Sequence, residues 1–280
     1  MQKYDLHTHS YYSDGLYSPK ILANYAKNAG LSGISLSDHN NVDGLDEFKK
    51  YCEKNDLEFI PGVEIQGLGS EVLGYFFNYK DEALLSFLEY QKKQTRKFTK
   101  KKLEGIKDFN IDISFDDVLE VAKKDYISPT HIAEVMLSKG YVKSAQEAYD
   151  NYLKEIKVRL EEPPPRLKKV VKVILDAGGV AVLPHPWYLY GNYFDLESLV
   201  IKLVKYGLKG IETIGYIPEE LKVFKNKDRI KEIEKIADRY GLIKSGGSDF
   251  HGLEIHPNNK LGEFFVNKKI VDDLKELSNY

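Results

Sequence analysis

Six of the seven histidines fall in short polar clusters spread along the whole chain: His7-Thr8-His9, Asp38-His39, Thr130-His131, Pro184-His185-Pro186 and Ser248-Asp249-Phe250-His251. Gly62-Val63-Glu64 adds a carboxylate of the same kind. Each cluster follows a short apolar run that reads as a strand. Any fold that uses them together must gather strand ends from residue 7 to residue 251 at one mouth. Imidazole and carboxylate collected in this way suit Zn, Mn or Fe, and the pattern points to an enzyme.

The runs between the clusters fit such a gathering. Residues 3–6, 33–37, 58–63 and 71–77 read as strands. Helical segments at 18–29 and 44–55 alternate with the first three. Ser18 is placed as N-cap, Pro19 at the first helical position and Gly30 just past the end. The rhythm resumes after residue 165, with helices at 166–177, 196–206 and 219–240 and strands at 180–183, 210–213 and 242–245. Strands separated by helices imply βαβ units and a parallel sheet. About seven strands favour a closed α/β barrel.

Residues 81–162 break the alternation. They read as helical throughout, in segments 81–109, 114–123 (Ser114 as N-cap), 129–139 and 145–154. Pro163-Pro164-Pro165 ends the block as a stiff spacer. The predicted organisation is a barrel made of 1–80 and 163–280, with 81–162 as a helical insertion that contributes His131 to the site.

Composition excludes several classes. Among 280 residues there is one cysteine, Cys52, so neither a disulfide framework nor a cysteine zinc site is available. A net charge of −2 argues against a general polyanion binder. No apolar run approaches the roughly 20 residues that cross a bilayer. Strand character already begins by Tyr4, so no signal peptide is expected and the predicted setting is the cytoplasm.

Within the clusters, residues two apart on a strand share a face, so His7 and His9 can reach one ion, as can Asp249 and His251. Glu64 would enter a crowded cationic site, where its two oxygens can bridge a pair of ions. Asp14 sits in a Ser-Asp-Gly turn that an aspartate also stabilises on its own. Asp38 either ligates or orients its neighbour from behind. His256 has no partner pattern and reads as a surface residue. From residue 92 to 107 there are eight Lys or Arg and one acid, Glu104. This is either a solvated helix face or, through Arg96, Lys97 and Lys100, a surface that steers polyanionic substrate.

Together, Leu6-His7-Thr8-His9-Ser10, Ser13-Asp14-Gly15, Ser37-Asp38-His39-Asn40, Gly62-Val63-Glu64-Ile65, His131-Ile132-Ala133, Val182-Leu183-Pro184-His185-Pro186 and Gly247-Ser248-Asp249-Phe250-His251-Gly252 resemble the PHP (polymerase and histidinol phosphatase) family, in order over residues 5 to about 262. The resemblance implies a distorted seven-stranded (β/α) barrel with a trinuclear metal centre and phosphoester hydrolysis. Carried over by motif, His7, His9, Glu64 and Asp249 hold the first ion. Glu64 bridges to a second, completed by His131 and His185, and Asp14, His39 and His251 hold a third.

Three features resemble the family branch of nucleotide phosphatases and 5′-end exoribonucleases: Val72-Leu73-Gly74-Tyr75-Phe76, the helical block with His131-Ile132-Ala133, and Ala177-Gly178-Gly179-Val180-Ala181-Val182. Two positions depart from it. Ser128-Pro129-Thr130 stands where the branch has Arg-Pro, and Glu71 where it tends to have His.

The expected reaction is hydrolysis of nucleoside monophosphates, 3′,5′-bisphosphates or RNA 5′ ends by a metal-bound hydroxide. Ions lower the pKa of bound water from about 15.7 toward 7 and polarise phosphoryl oxygens. Glu64, His185, Asp249 and His251 are the expected catalytic residues, with two to three divalent ions (Mn, Zn or Fe) as cofactor. The expected partner is a small phosphorylated substrate, with no membrane and no obligate protein partner. Histidinol phosphate is the alternative substrate, and a non-catalytic metal-binding module the alternative of a different class.

Overall fold

The computed structural model describes residues 1–189, 195–217, 226–255 and 258–280, with the side chains of 226–228 excepted. His256 lies outside the described residues. The chain opens with β1 (Lys3–Asp5), α1 (Pro19–Asn28), β2 (Gly33–Leu36), α2 (Leu45–Lys54) and β3 (Glu58–Gln66). The Ser18 hydroxyl accepts from the Ile21 amide, capping α1 as its sequence predicts. β1, β2 and β3 pair in parallel.

At β4 (Glu71–Tyr75) the sheet departs from the all-parallel expectation. β4 runs antiparallel to β3, pairing Glu64 with Leu73 and Gln66 with Glu71, and antiparallel again to β5 (Val180–Leu183). Only residues 67–70 separate β3 from β4. Four residues close a hairpin, whereas a parallel return needs a crossover of a dozen or more. Parallel pairing resumes from β5 to β6 (Gly210–Ile214) and β7 (Ile243–Gly246); helix α7 (Leu167–Asp176) leads into β5, α8 (Leu196–Tyr206) joins β5 to β6 and α9 (Asn226–Tyr240) precedes β7.

An eighth strand, β8 (Val266–Asn267), was not expected; it adds antiparallel to β1 before the closing helix α10 (Lys268–Glu276). The strand order is β7-β6-β5-β4-β3-β2-β1-β8. A parallel bridge between Thr8 and Phe250, just past β1 and β7, brings the two ends of this order together, so the sheet is nearly closed into a barrel. Tyr4, Leu6, Ile60, Leu73, Tyr75, Val180 and Val182 form one buried cluster, and the Tyr75 hydroxyl donates to the Leu6 carbonyl at 2.8 Å. Helix faces such as Leu22, Phe48, Val170, Ile174, Val200 and Ile233 supply the larger outer core.

Between β4 and β5 lie α3 (Glu82–Ile106), α4 (Phe115–Ala122), α5 (Pro129–Ser138) and α6 (Ala145–Ala148). The last predicted helix of this block shortens, giving way to a π turn over Tyr149–Leu153. These helices share an apolar cluster of their own, including Leu103, Ile106, Val118, Ile127, Ile132 and Met136. Among the described residues no helix is long and apolar enough to cross a membrane.

Candidate metal centre

Strand ends build the site. His7 and His9 follow β1, His39 follows β2, Glu64 lies within β3, His185 follows β5, and Asp249 and His251 follow β7. Asn40, His185 and Asp249 have positive φ (49°, 29° and 53°), a conformation that costs a non-glycine residue energy and is kept where packing imposes it. Gly247 makes the seam possible: a Cβ there would stand 2.4 Å from the His7 backbone nitrogen.

Ligand-type atoms converge in three groups, each within 4.8 Å: His7, His9, Glu64 and Asp249; His9, Asp14, His39 and His251; and His39, Glu64 and Glu71. Glu64 is the hub. Fully buried, it lies 2.8 Å from His185 Nε2, 3.1 Å from His7 Nε2, 3.2 Å from His39 Nδ1 and 3.4 Å from His9 Nε2. Asp14 is 3.4 Å from His251 Nε2 and 3.7 Å from His39 Nε2.

Charge explains the protonation of this cluster. Burial pushes the His7 imidazole pKa down, but Glu212, Glu64 and Asp249 more than reverse that and carry it well above its usual value. His185 is raised likewise against burial by Glu64 and Glu71, and His251 is lifted to about 10 by Asp249 and Asp14. The same attraction holds Glu64, Asp14 and Asp249 below the usual carboxylate range despite burial. His9 moves the other way, to about 3, through burial and the neighbouring His251 and His39.

The donor set fits divalent ions. Both ring nitrogens of His9, His39 Nδ1 and Asp14 Oδ1 are buried without a hydrogen-bond partner. Buried polar atoms are rarely left so, and unpaired imidazole and carboxylate atoms facing one another are what a cation satisfies.

Further groups orient the ligands. Glu212 Oε1 lies 3.0 Å from His7 Nδ1 and its Oε2 accepts the His185 amide at 2.7 Å. Asp5 accepts the amides of His7 and Ser248. Asp38 does not face the cluster; it accepts from the Ser10 amide and hydroxyl and the Ser13 hydroxyl, each at 2.7 Å, and ties the Asp14 turn to β2. Glu212 was missed in the sequence, although a carboxylate between Ile211 and Thr213 in an apolar strand signals a buried partner.

His131 does not join the cluster. It is the third residue of α5, where its Nδ1 accepts the Ser128 amide at 3.1 Å as part of a capping box, and among the described residues it belongs to none of the three groups. Its helix instead touches the site through Thr130, whose hydroxyl donates to Asp14 Oδ2 at 3.1 Å. Beside His39 and His185, where His131 is expected from the motif, stands Glu71, 3.4 Å from each. Hairpin register sets this up, since Glu71 pairs with Gln66 two residues beyond Glu64 on the same side.

A cavity of about 340 Å³ opens over Glu64, Glu71, His185, Asp249 and His251. It adjoins a larger one of about 520 Å³ that runs under α3 and α5 and is lined by Asp14, Gln66, Gln91, Phe98, Tyr126 and Tyr149 among others. Arg96, Lys97 and Lys100 line neither cavity. Arg96 and Lys100 stack over the Phe115 ring at 5.2 and 4.5 Å. Lys97 and Lys100 border a separate groove with Lys101, Glu104, Glu161 and Glu162.

The model of the PHP domain matches residues 5–245. The chain is 26% identical over 257 residues to a 5′-3′ exoribonuclease of Haemophilus influenzae, covering 89% of this chain and 90% of the relative. It is 26% identical over 260 residues to a 3′,5′-nucleoside bisphosphate phosphatase of Chromobacterium violaceum, covering 90% and 88%. The crystal structure of a candidate metal-dependent phosphoesterase from Bifidobacterium adolescentis superposes with a TM-score of 0.88 at 25% identity, over 100% of this chain and 97% of that one. Strand-end ligands gathered at one barrel mouth, and a family match over most of the length, make this chain a member of the PHP domain family and a metal-dependent phosphoester hydrolase.

Proposed function

We propose that the enzyme releases phosphate from nucleotides, either nucleoside monophosphates and 3′,5′-bisphosphates or the 5′ ends of RNA. The observation that carries this reading is the pair of joined cavities: one over the cluster, with ample room for a phosphoryl group, and one beside it that can hold a nucleoside. The names of the two relatives support the same substrate class.

His7, His9, Glu64 and Asp249 would hold one ion; Asp14, His39 and His251 a second; and Glu64, Glu71 and His185 a third, with the two oxygens of Glu64 shared between two of them. Such ions, when bound, polarise phosphoryl oxygens and acidify water. The protein's part is geometry. Glu212 and Asp5 fix the His7 ring and the turns around it, and Asp38 fixes the Asp14 turn. His251 Nδ1 faces the Asp249 carbonyl at 2.9 Å, which fixes its proton there and leaves Nε2 toward Asp14 and the cavity. Lys97 and Lys100, on their separate groove, would act at a distance by drawing anions toward the mouth, in a salt-dependent way.

Phosphate release from nucleotides, histidinol phosphate and short 5′-phosphorylated RNA, with manganese or with chelator, tests the reading. Chelator-sensitive release that is highest on a nucleotide or RNA is the expected result. Highest release from histidinol phosphate would overturn it.

A further inference from the structure

The larger cavity carries charge and hydrogen-bond features that the proposed chemistry does not use. Gln91, on α3, is 4% exposed; its Nε2 donates to the Gln66 carbonyl at 2.8 Å, which orients the amide and leaves Oε1 buried without a partner. Tyr126 is fully buried, its ring centroid 6.2 Å from that of His39, and its hydroxyl faces Gln66 without closing a hydrogen bond. Both residues line the cavity. A buried acceptor and a buried donor left open beside a reaction centre leave unmet bonding capacity that a ligand can supply.

The charges around them are one-sided. Among the described residues lining the cavity, the charged side chains are Asp14, Glu71 and Glu162, with no Lys or Arg. Asp14 and Glu71 belong to the metal cluster, whereas Glu162 stands clear of it and accepts the Tyr90 hydroxyl. A lysine row, Lys97, Lys100 and Lys101, borders the neighbouring groove, and Gln94, Leu160 and Glu162 border both. A second phosphate at the Glu162 end of the cavity, away from the metal cluster, would bring about two negative charges toward that carboxylate with no lining Lys or Arg to meet them.

Building on the nucleotide reading above, we propose that this cavity is a base-reading subsite for an uncharged leaving group. Gln91 Oε1 accepts from an N–H of the nucleobase, and the Tyr126 hydroxyl donates to the same nucleoside. The subsite selects nucleoside monophosphates against 3′,5′-bisphosphates. A site built to bond a polar group rejects ligands lacking it by more than an apolar pocket does, because its own groups are then left unpaired.

The test measures kcat/KM of the manganese-loaded full chain on adenosine 5′- and 3′-monophosphate, adenosine 3′,5′-bisphosphate and glycerol 3-phosphate. The better monophosphate should exceed both of the others by about 10-fold or more. Gln91→Met and Tyr126→Phe should each lower the ratio of monophosphate to glycerol phosphate by about 10-fold. Tyr126→Phe removes only an unbonded hydroxyl, so it keeps the test open if Gln91→Met fails to fold. Equal rates on monophosphate and glycerol phosphate, a preference for the bisphosphate, or ratios unmoved in Tyr126→Phe would overturn the subsite while leaving a general phosphatase in place. Absence of metal-dependent release from every ester and from short 5′-phosphorylated RNA would overturn both this and the nucleotide reading.

Discussion

Replacing Glu64 by Gln should cost far more activity than replacing Asp14 by Asn. Both changes are isosteric and exchange one carboxylate for an amide, so the difference between them reports position. Glu64 lies within 3.4 Å of nitrogens from four histidines and takes part in two of the three ligand groups; Asp14 takes part in one. Removing one group that stabilises a transition state costs about 3 kcal/mol, or roughly 10²-fold in rate. On that scale Asp14→Asn should lose about 10²-fold in kcat, and Glu64→Gln, serving two groups, about 10⁴-fold. Steady-state phosphate release with saturating manganese measures both, and circular dichroism checks that each variant is folded. Equal losses, or a larger loss at Asp14, would mean that Glu64 is not shared between ions.

Three further outcomes follow from the geometry. Glu212→Gln weakens the group that orients His7 and His185 without touching a ligand position, so metal affinity or kcat should fall by about 10- to 100-fold. Raised pKa values hold protons on His7, His185 and His251 in the metal-free chain near pH 7; metal loading should therefore release protons, and affinity should rise with pH through about 10, where His251 is half deprotonated. Calorimetry in buffers of different ionisation enthalpy counts them, and no net release would contradict that protonation. Burial raises the Glu134 pKa to about 8, with Asp14 adding to the effect. The folded state then holds a proton that the unfolded state gives up above about pH 4.5, so this group costs stability as pH rises through that window. Glu134→Gln should stabilise the metal-free chain by a few kcal/mol, on the order of 4 at most, at pH 8 and by less than about 1 kcal/mol at pH 5, read as Tm; an equal shift at both would refute it.

Much of the architecture was legible because hydrophobic period and ligand placement carry the same message. A short apolar run followed by His or Asp is a strand with a ligand-type side chain at its end, and the side chains of His7, His9, Glu64, His185, Asp249 and His251 all meet at one mouth. The hairpin at residues 67–70 was equally readable from its length, yet the alternation around it suggested a parallel return. His131 was assigned by motif rather than by its surroundings; Ser128 three residues earlier marks a helix cap, and the cap is where its nitrogen is bonded. Glu71 and Glu212 were hidden for a different reason. Each acts across strands, one through hairpin register and the other through the barrel interior, and neither distance exists along the chain.

The account rests on a cluster that gathers more than one ion. Metal analysis of the purified chain, stripped with chelator, reloaded with manganese or zinc and desalted, tests it most directly when read beside phosphate release at each stage of loading. Two to three ions per chain, with activity appearing as the second binds, is the predicted result. Full activity with a single ion, or no more than one ion retained at saturation, would contradict it.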